Sequence, residues 1–116
     1  MNKKLLALDC DGVLTPVYRY YSEKGRLFNR FCSHDSYAIT KLKENGFDIV
    51  VITSNLLAIE IIKTRAKEWG DTSVFGSKDK RATLSEIISN HDYDEVYFAG
   101  DGPEDLVVVD MVSLFF

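Results

Sequence analysis

Short apolar runs alternate with amphipathic segments along most of this chain. Apolar runs of four to six residues are typical of buried strands, and the segments between them carry apolar residues at helical spacing. The runs that predict strands are Lys4–Leu8, Phe47–Ile52, Ser73–Phe75 and Glu95–Ala99. The segments that predict helices are Ser33–Asn45, Leu56–Trp69, Asp79–Asn90 and Glu104–Met111, with Pro103 at the start of the last one.

Two of these helices have a predicted buried face. In the first helix the apolar positions are Tyr37, Ala38, Ile39 and Leu42, and in the third they are Ala82, Leu84, Ile87 and Ile88. Ser33 and Gly46 are the expected cap and stop of the first helix.

Two departures from this alternation lie near the ends of the chain. Val17–Tyr21 and Arg26–Phe31 flank Ser22–Gly25, which predicts a β-hairpin over about residues 17–31. Ser113–Phe116 predicts the beginning of one more strand.

Strands that alternate with helices favour a mostly parallel sheet covered on both faces. We therefore expect one α/β domain over residues 1–116, a three-layer α/β/α, Rossmann-like fold. Ligands of such sheets bind at the carboxyl ends of the strands. The residues that follow the predicted strands are Asp9 and Asp11, Thr53, Ser54 and Asn55, Lys78 and Lys80, and Asp101.

The composition excludes several classes of protein. Of the 116 residues, 46% are hydrophobic and 28% are charged, which is ordinary for a globular domain. The longest apolar run, Ile49–Ile52, is far too short for a membrane helix, so no membrane partner is expected. A net charge of −4 makes nucleic acid an unlikely partner. Cys10 and Cys32 do not resemble a disulfide framework, so a reducing, cytoplasmic location is expected.

The residues at the predicted edge suit attack on a phosphate monoester. A carboxylate is able to act as nucleophile, a second one as general acid and base, and Mg²⁺ with a lysine neutralises the phosphate charge. Taken singly, each residue also has an ordinary structural explanation. The acids are explained as solvated loop residues, Thr53 as a helix cap and Lys80 as a surface residue.

Asp9-Cys10-Asp11-Gly12-Val13-Leu14-Thr15 resembles the first motif of the haloacid dehalogenase (HAD) superfamily of phosphatases. The resemblance implies Asp9 as nucleophile, Asp11 as acid/base and Gly12 as a supporting turn residue. It implies Mg²⁺ held by Asp9, Asp101 and the backbone carbonyl of Asp11. It also assigns Thr53 as the phosphate-binding hydroxyl, with Ser54 and Asn55 beside it, and Lys80 as the lysine, with Lys78 as a rival. Asp105, in the final motif Gly100–Asp105, is a supporting carboxylate.

The hairpin after the first motif is similar to that of the capless branch that includes 3-deoxy-D-manno-octulosonate 8-phosphate phosphatase. This resemblance implies a small-molecule sugar-acid phosphate as substrate and a homo-oligomer, a tetramer, packed through the hairpins. Three features depart from that branch. Gly102 replaces a second acid, Asn55 replaces a common arginine, and the relatives continue beyond the position of Phe116.

Three alternatives remain open at this point. One is a phosphatase for a nucleotide or a nucleic-acid end. Another is a catalytically weak chain of the same fold that serves as a binding or assembly module. The third is a signalling receiver domain, which is disfavoured because its phosphoacceptor follows a later central strand, whereas Phe47–Ile52 ends in Thr53.

Overall fold

The computed structural model describes residues 3–10, 13–14, 20–22, 25–28, 34–70, 72–100 and 102–116. The strands are β1 (Lys4–Leu8), β2 (Tyr20–Ser22), β3 (Gly25–Phe28), β4 (Phe47–Thr53), β5 (Ser73–Gly76), β6 (Glu95–Ala99) and β7 (Leu114–Phe115). The α-helices are α1 (His34–Glu44), α2 (Ile59–Lys67) and α3 (Lys80–Ser89). Two 3₁₀ helices cover Leu56–Ala58 and Pro103–Met111.

Five strands form one parallel sheet in the order β5-β4-β1-β6-β7. The first strand of the chain lies at its centre, where Leu8 pairs with Val51 of β4 on one side and with Ala99 of β6 on the other. This register brings the residues that follow β1, β4 and β6 to the same edge of the sheet.

The sheet separates two hydrophobic cores, because alternate residues of a strand point to opposite faces. On one face Leu8, Ile49 and Val51 pack with Ile39, Ile62 and Trp69 from α1, α2 and the turn that follows α2. On the other face Leu5, Val50 and Phe98 pack with Leu84 and Ile87 of α3 and with Val108. The predicted α/β fold with helices on both faces of a parallel sheet is therefore confirmed.

The predicted buried faces of two helices need correction. Tyr37 is 70% exposed and Ala38 is exposed, whereas Ile39 and Leu42 of α1 pack in the core as predicted. Ala82 is also exposed, while Leu84 and Ile87 are buried as predicted. A helix of about three turns that packs on a sheet buries only a narrow stripe, so neighbouring apolar positions fall outside it.

Two predicted helices differ in type or length from expectation. The segment predicted over Leu56–Trp69 starts as a 3₁₀ turn and ends as an α-helix at Lys67, and Gly70 follows with a φ of +71°. The segment after Pro103 is a 3₁₀ helix throughout. In the described part of the chain, no helix combines the length and apolar character that crossing a bilayer requires.

The predicted hairpin is present over the described residues. β2 and β3 form a separate antiparallel pair in which Tyr21 lies opposite Arg26 and Ser22 opposite Gly25. Ser22 and Gly25, predicted as turn residues, belong to the strands. The predicted strand and turn residues beyond β2 and β3, and Ser33 as the cap of α1, lie outside the described residues.

Candidate active site

Asp9 lies directly after the central strand, at the carboxyl edge of the sheet. Its backbone N–H donates to the carbonyl of Ala99 at 2.9 Å, which continues the pairing of β1 with β6. Only 5% of Asp9 is exposed. Its Oδ1 accepts a hydrogen bond of 2.8 Å from the backbone N–H of Cys10, which fixes the orientation of the carboxylate.

Lys80 is the first residue of α3 and points back into the sheet edge. Asp79 caps this helix by accepting a hydrogen bond from the backbone N–H of Ala82. The loop before the cap is tied to β4, because the backbone N–H of Ser77 donates to the carbonyl of Thr53 at 2.8 Å. These contacts hold the start of α3 beside β4, so that Lys80 is buried with 3% exposure.

The Lys80 ammonium bridges two carboxylates. Its Nζ lies 3.1 Å from Oδ1 of Asp9 and 2.6 Å from Oδ1 of Asp105, which is fully buried. Burying these charged groups costs hydration, which the short contacts between them offset only in part. Asp9, Lys80 and Asp105 are hereafter called the buried triad.

Asp105 reaches the triad because glycine precedes it at position 100. A Cβ at Gly100 would lie 2.5 Å from Oδ2 of Asp105, inside the contact distance of the two atoms. The same oxygen accepts a hydrogen bond of 3.3 Å from the backbone N–H of Gly102. Gly100 therefore leaves room for the Asp105 carboxylate to pack against the backbone of the segment Gly100–Gly102.

The pKa of Asp9 is raised mainly because its carboxylate is buried. Burial raises the pKa of Asp9 to about 7; Lys80 opposes the rise and Asp105 adds to it. Burial by itself lowers the pKa of Lys80, but its hydrogen bonds to Asp105 and Asp9 outweigh this and raise that pKa above its usual value. One ammonium between two carboxylates therefore leaves an excess of negative charge.

A third carboxylate adds to that excess. Carboxylate oxygens of Asp9, Glu104 and Asp105 all lie within 4.8 Å of one another. Together with the Lys80 ammonium, these three acids make a group of four side chains with a formal charge of −2. Oxygen ligands with net negative charge fit a hard divalent cation such as Mg²⁺.

A cavity of about 150 Å³ opens beside the triad. Its lining includes two lysines, a hydroxyl, two acids and one apolar side chain, namely Lys78, Lys80, Ser54, Asp79, Glu104 and Val107. Thr53, at the end of β4, is 2% exposed, and its Oγ1 accepts a hydrogen bond of 3.1 Å from the backbone N–H of Asn55. Thr53–Asn55, the segment that carries the two predicted hydroxyl groups, thus lies at the same edge of the sheet as the triad.

The structure brings part of the predicted site together. Asp9, Thr53, Ser54, Lys80 and Asp105 lie at the expected edge, and Lys78 is exposed where Lys80 is buried. The predicted residues Asp11, Gly12 and Asp101 lie outside the described residues. Glu104 was not predicted as a site residue, although its position next to Asp105 at a helix start was a usable signal.

Comparisons with known proteins give consistent relatives. The 3-deoxy-D-manno-octulosonate 8-phosphate phosphatase KdsC of Yersinia pestis is 28% identical over an alignment 116 positions long, which covers 97% of this chain and 61% of the relative. A probable YrbI family phosphatase from Pseudomonas syringae pv. phaseolica 1448a is 31% identical with a TM-score of 0.83, over 95% of this chain and 63% of that one.

A third relative shows the fold alone. The 3-deoxy-D-manno-octulosonate 8-phosphate phosphatase from Moraxella catarrhalis, in complex with a magnesium ion, a phosphate ion and KDO, is 22% identical with a TM-score of 0.81. That match covers 98% of this chain and 76% of the other.

No family model matches the chain. The chain spans about three fifths of the length of the curated relatives it matches. The resemblance that the motifs indicated is nevertheless confirmed by sequence and by structure. The chain is therefore similar to phosphatases named for 3-deoxy-D-manno-octulosonate 8-phosphate and to a hydrolase named as a member of the haloacid dehalogenase superfamily.

Proposed function

We propose that this chain is a Mg²⁺-dependent phosphatase that hydrolyses a small phosphate monoester through an aspartyl-phosphate on Asp9. The observation that carries the proposal is the buried triad at the carboxyl edge of the sheet, where Lys80 joins Asp9 to Asp105. A fold without chemistry at this edge gains nothing from burying three charged groups, because each loses its hydration.

Asp9 acts as nucleophile in the first step. The hydrogen bond from Cys10 and the ion pair with Lys80 both fall on Oδ1 of its carboxylate. A carboxylate oxygen of Asp9 forms the new bond to phosphorus while the ester oxygen leaves. Asp11 donates a proton to that leaving oxygen, which releases the alcohol.

The second step restores the enzyme. Asp11 takes a proton from water, and the water oxygen attacks phosphorus while the bond to Asp9 breaks. Inorganic phosphate leaves and Asp9 is again a carboxylate. Lys80 stabilises the negative charge on Asp9 and on the phosphoryl oxygens in both steps.

The residues present fit Mg²⁺. Asp9, Asp101 and the backbone carbonyl of Asp11 would hold the ion, with Asp105 oriented toward the site by Lys80. When bound, the ion neutralises phosphoryl charge and lowers the barrier to attack by an anion. The formal charge of −2 on the described acids and Lys80 supports this assignment.

The substrate class that we propose is a sugar-acid phosphate, which is also the substrate named for the Yersinia pestis relative. Lys78 and Ser54 at the cavity wall offer donors for an anionic or hydroxylated substrate. The test is turnover on a panel with 3-deoxy-D-manno-octulosonate 8-phosphate, simple sugar phosphates, nucleotides and an oligonucleotide 5′-phosphate, each with Mg²⁺ and with chelator. Preference for the sugar acid supports the proposal, and preference for a nucleotide or nucleic-acid end overturns the substrate class.

The affinity for Mg²⁺ should depend on pH. Because the pKa of Asp9 is raised to about 7 without metal, a proton competes with the cation below that value. We expect the dissociation constant for Mg²⁺ to rise up to about tenfold per unit as pH falls from 7 to 5, and to level off above 8. Calorimetric titration at several pH values measures this. An affinity that is constant from pH 5 to 8 would contradict it.

We also propose that the chain forms a homo-oligomer, a tetramer, through the hairpin. A two-stranded sheet is marginal by itself in water and gains stability by packing on another surface. β3 contacts the 3₁₀ helix Leu56–Ala58, whose Leu57 is 90% exposed. Light scattering should give a molar mass near four times that of one chain for the wild type and a lower molar mass for Leu57→Glu. Lys63→Glu, on an exposed position of α2, is the control, and a monomeric wild type contradicts the proposal.

A further inference from the structure

The hydroxyl of Ser77 is a buried polar group outside the proposed catalytic residues. Ser77 is 9% exposed and lies in the short loop between β5 and α3, just before Lys80. Its Oγ accepts a hydrogen bond of 2.6 Å from the Thr83 hydroxyl and one of 3.1 Å from the backbone N–H of Asp79. Two donors from the start of α3 therefore converge on this side chain.

These contacts join the first turn of α3 to the end of β4. The backbone N–H of Ser77 donates to the carbonyl of Thr53, the last residue of β4, at 2.8 Å. The Ser77 hydroxyl holds both Asp79, the residue that caps α3, and Thr83, at the end of its first turn. Polar groups that lose their partners away from water are costly, so such a network resists rearrangement.

The position of this first turn decides where the Lys80 ammonium lies. Lys80 is the first residue of α3, and its Nζ lies 3.1 Å from Asp9 and 2.6 Å from Asp105. A lysine side chain is long and flexible, and it loses rotamer freedom when it is held in one geometry. A helix start that is fixed against β4 lowers this cost, because the backbone of Lys80 already stands at the right distance from both carboxylates.

We propose that Ser77 is a positioning residue for Lys80, acting through the two hydrogen bonds that its hydroxyl accepts. The inference rests on the proposed function, since it concerns the lysine that stabilises the phosphoryl charge. Ser77 takes no part in bond making or proton transfer. Its role is to keep the Lys80 ammonium between Asp9 and Asp105, since a catalytic group works only when the residues behind it hold it in place.

The first test observes Lys80 directly, by nuclear magnetic resonance of the ¹⁵N-labelled chain without Mg²⁺. The protons of a buried, hydrogen-bonded ammonium exchange slowly with water and give a resolved signal, which Lys80→Arg identifies by its absence. Ser77→Ala removes the acceptor of both hydrogen bonds, so this signal should be lost. The signal of the Lys43 ammonium in α1, which donates to the Thr72 hydroxyl at 2.8 Å, should not change.

A matched pair of substitutions at Thr83 separates the hydrogen bond from packing. Thr83→Ser keeps the hydroxyl that donates to Ser77 and should keep the Lys80 signal. Thr83→Val keeps the shape of the side chain but removes the hydroxyl, so the Lys80 signal should weaken. The effect should be smaller than that of Ser77→Ala, because the hydrogen bond from the backbone N–H of Asp79 remains.

The second test measures hydrolysis of an aryl phosphate with saturating Mg²⁺. Ser77→Ala should lower the rate about tenfold or more, because a catalytic group that is misplaced by about 1 Å loses much of its effect. Thr83→Ser should stay within twofold of the wild type, and Thr83→Val should fall between the two. Ser89→Ala is the control, since its hydroxyl donates to the carbonyl of Glu86 at the far end of α3 and its loss should not change the rate.

The two readouts separate this inference from the proposed function. A Lys80 signal that persists unchanged in Ser77→Ala overturns the positioning role, whatever the rate. Equal Lys80 signals in Thr83→Val and Thr83→Ser overturn the part of the Thr83 hydroxyl, and this pair also decides the question if Ser77→Ala does not fold. A wild type that shows the Lys80 signal, loses it in Ser77→Ala and hydrolyses no phosphate ester supports the hold on Lys80 and overturns the proposed function.

Discussion

Replacing Asp9 by asparagine should lower the rate of phosphate-ester hydrolysis by about 10³-fold or more. The amide has the shape of the carboxylate but is a far weaker nucleophile, so the aspartyl-phosphate does not form. Asp9 is also a ligand of the proposed Mg²⁺, so the variant loses charge neutralisation as well. Steady-state hydrolysis of an aryl phosphate with saturating Mg²⁺ measures the effect.

The fold should survive this substitution. The carboxylate is buried and burial raises its pKa, so removing its charge relieves a desolvation cost in the absence of metal. We therefore expect Asp9→Asn to unfold at a temperature no lower than the metal-free wild type. Asp48→Asn is the matched control, because Asp48 is an exposed residue near the start of β4 that accepts a hydrogen bond from Tyr93. Activity that persists in Asp9→Asn, or hydrolysis without metal, would refute the mechanism.

Replacing Lys80 by methionine should have the largest effect on stability. Methionine fills a similar volume but leaves Asp9 and Asp105 buried without their shared cation. Removing one partner from a buried ion pair costs about 3–5 kcal/mol. Urea unfolding without Mg²⁺ should therefore show this loss in the free energy of unfolding. Lys78→Met is the control, since Lys78 is exposed and its replacement should change that free energy by less than about 0.5 kcal/mol.

A second variant tests whether the loss comes from unbalanced charge. Asp105→Asn in the Lys80→Met background removes one of the two carboxylates and should recover part of the lost stability. The two residues are in contact, so their effects should not add. Equal destabilisation by Lys78→Met and Lys80→Met, or strictly additive effects in the double variant, would contradict the buried triad. Activity should be lost in both variants that lack Lys80.

Much of the fold was predictable because its signals are local. Four apolar runs predicted β1, β4, β5 and β6 to within one residue at each end, since burial on both faces of a parallel sheet produces such runs. The rule that ligands lie at the carboxyl ends of strands then placed Asp9, Thr53 and Lys80 at one edge. The first motif added the resemblance to the haloacid dehalogenase phosphatases, and the relatives agree with that resemblance.

The details of the helices were harder to predict from local patterns. Tyr37 has the spacing of a core residue but is 70% exposed, because the contact of α1 with the sheet covers a narrower stripe than its apolar residues span. The segment after Pro103 has the composition of an α-helix, yet it is a 3₁₀ helix, and Asp105 in its first turn lies beside Gly100. Helix type and the exact buried stripe depend on neighbours that a single segment does not contain.

The sequence by itself determined the order of the strands and helices along the chain. It also indicated the carboxyl edge of the sheet as the place of the candidate site, and Asp9 as the candidate nucleophile. Only the tertiary structure showed that Lys80 is buried and Lys78 exposed, because burial depends on where the start of α3 is held against β4. Only the tertiary structure joined Glu104 to Asp9, which lies 95 positions earlier in the chain. Periodicity and motifs describe neighbours along the chain, whereas the charge balance of a site depends on groups that folding brings together across the sheet.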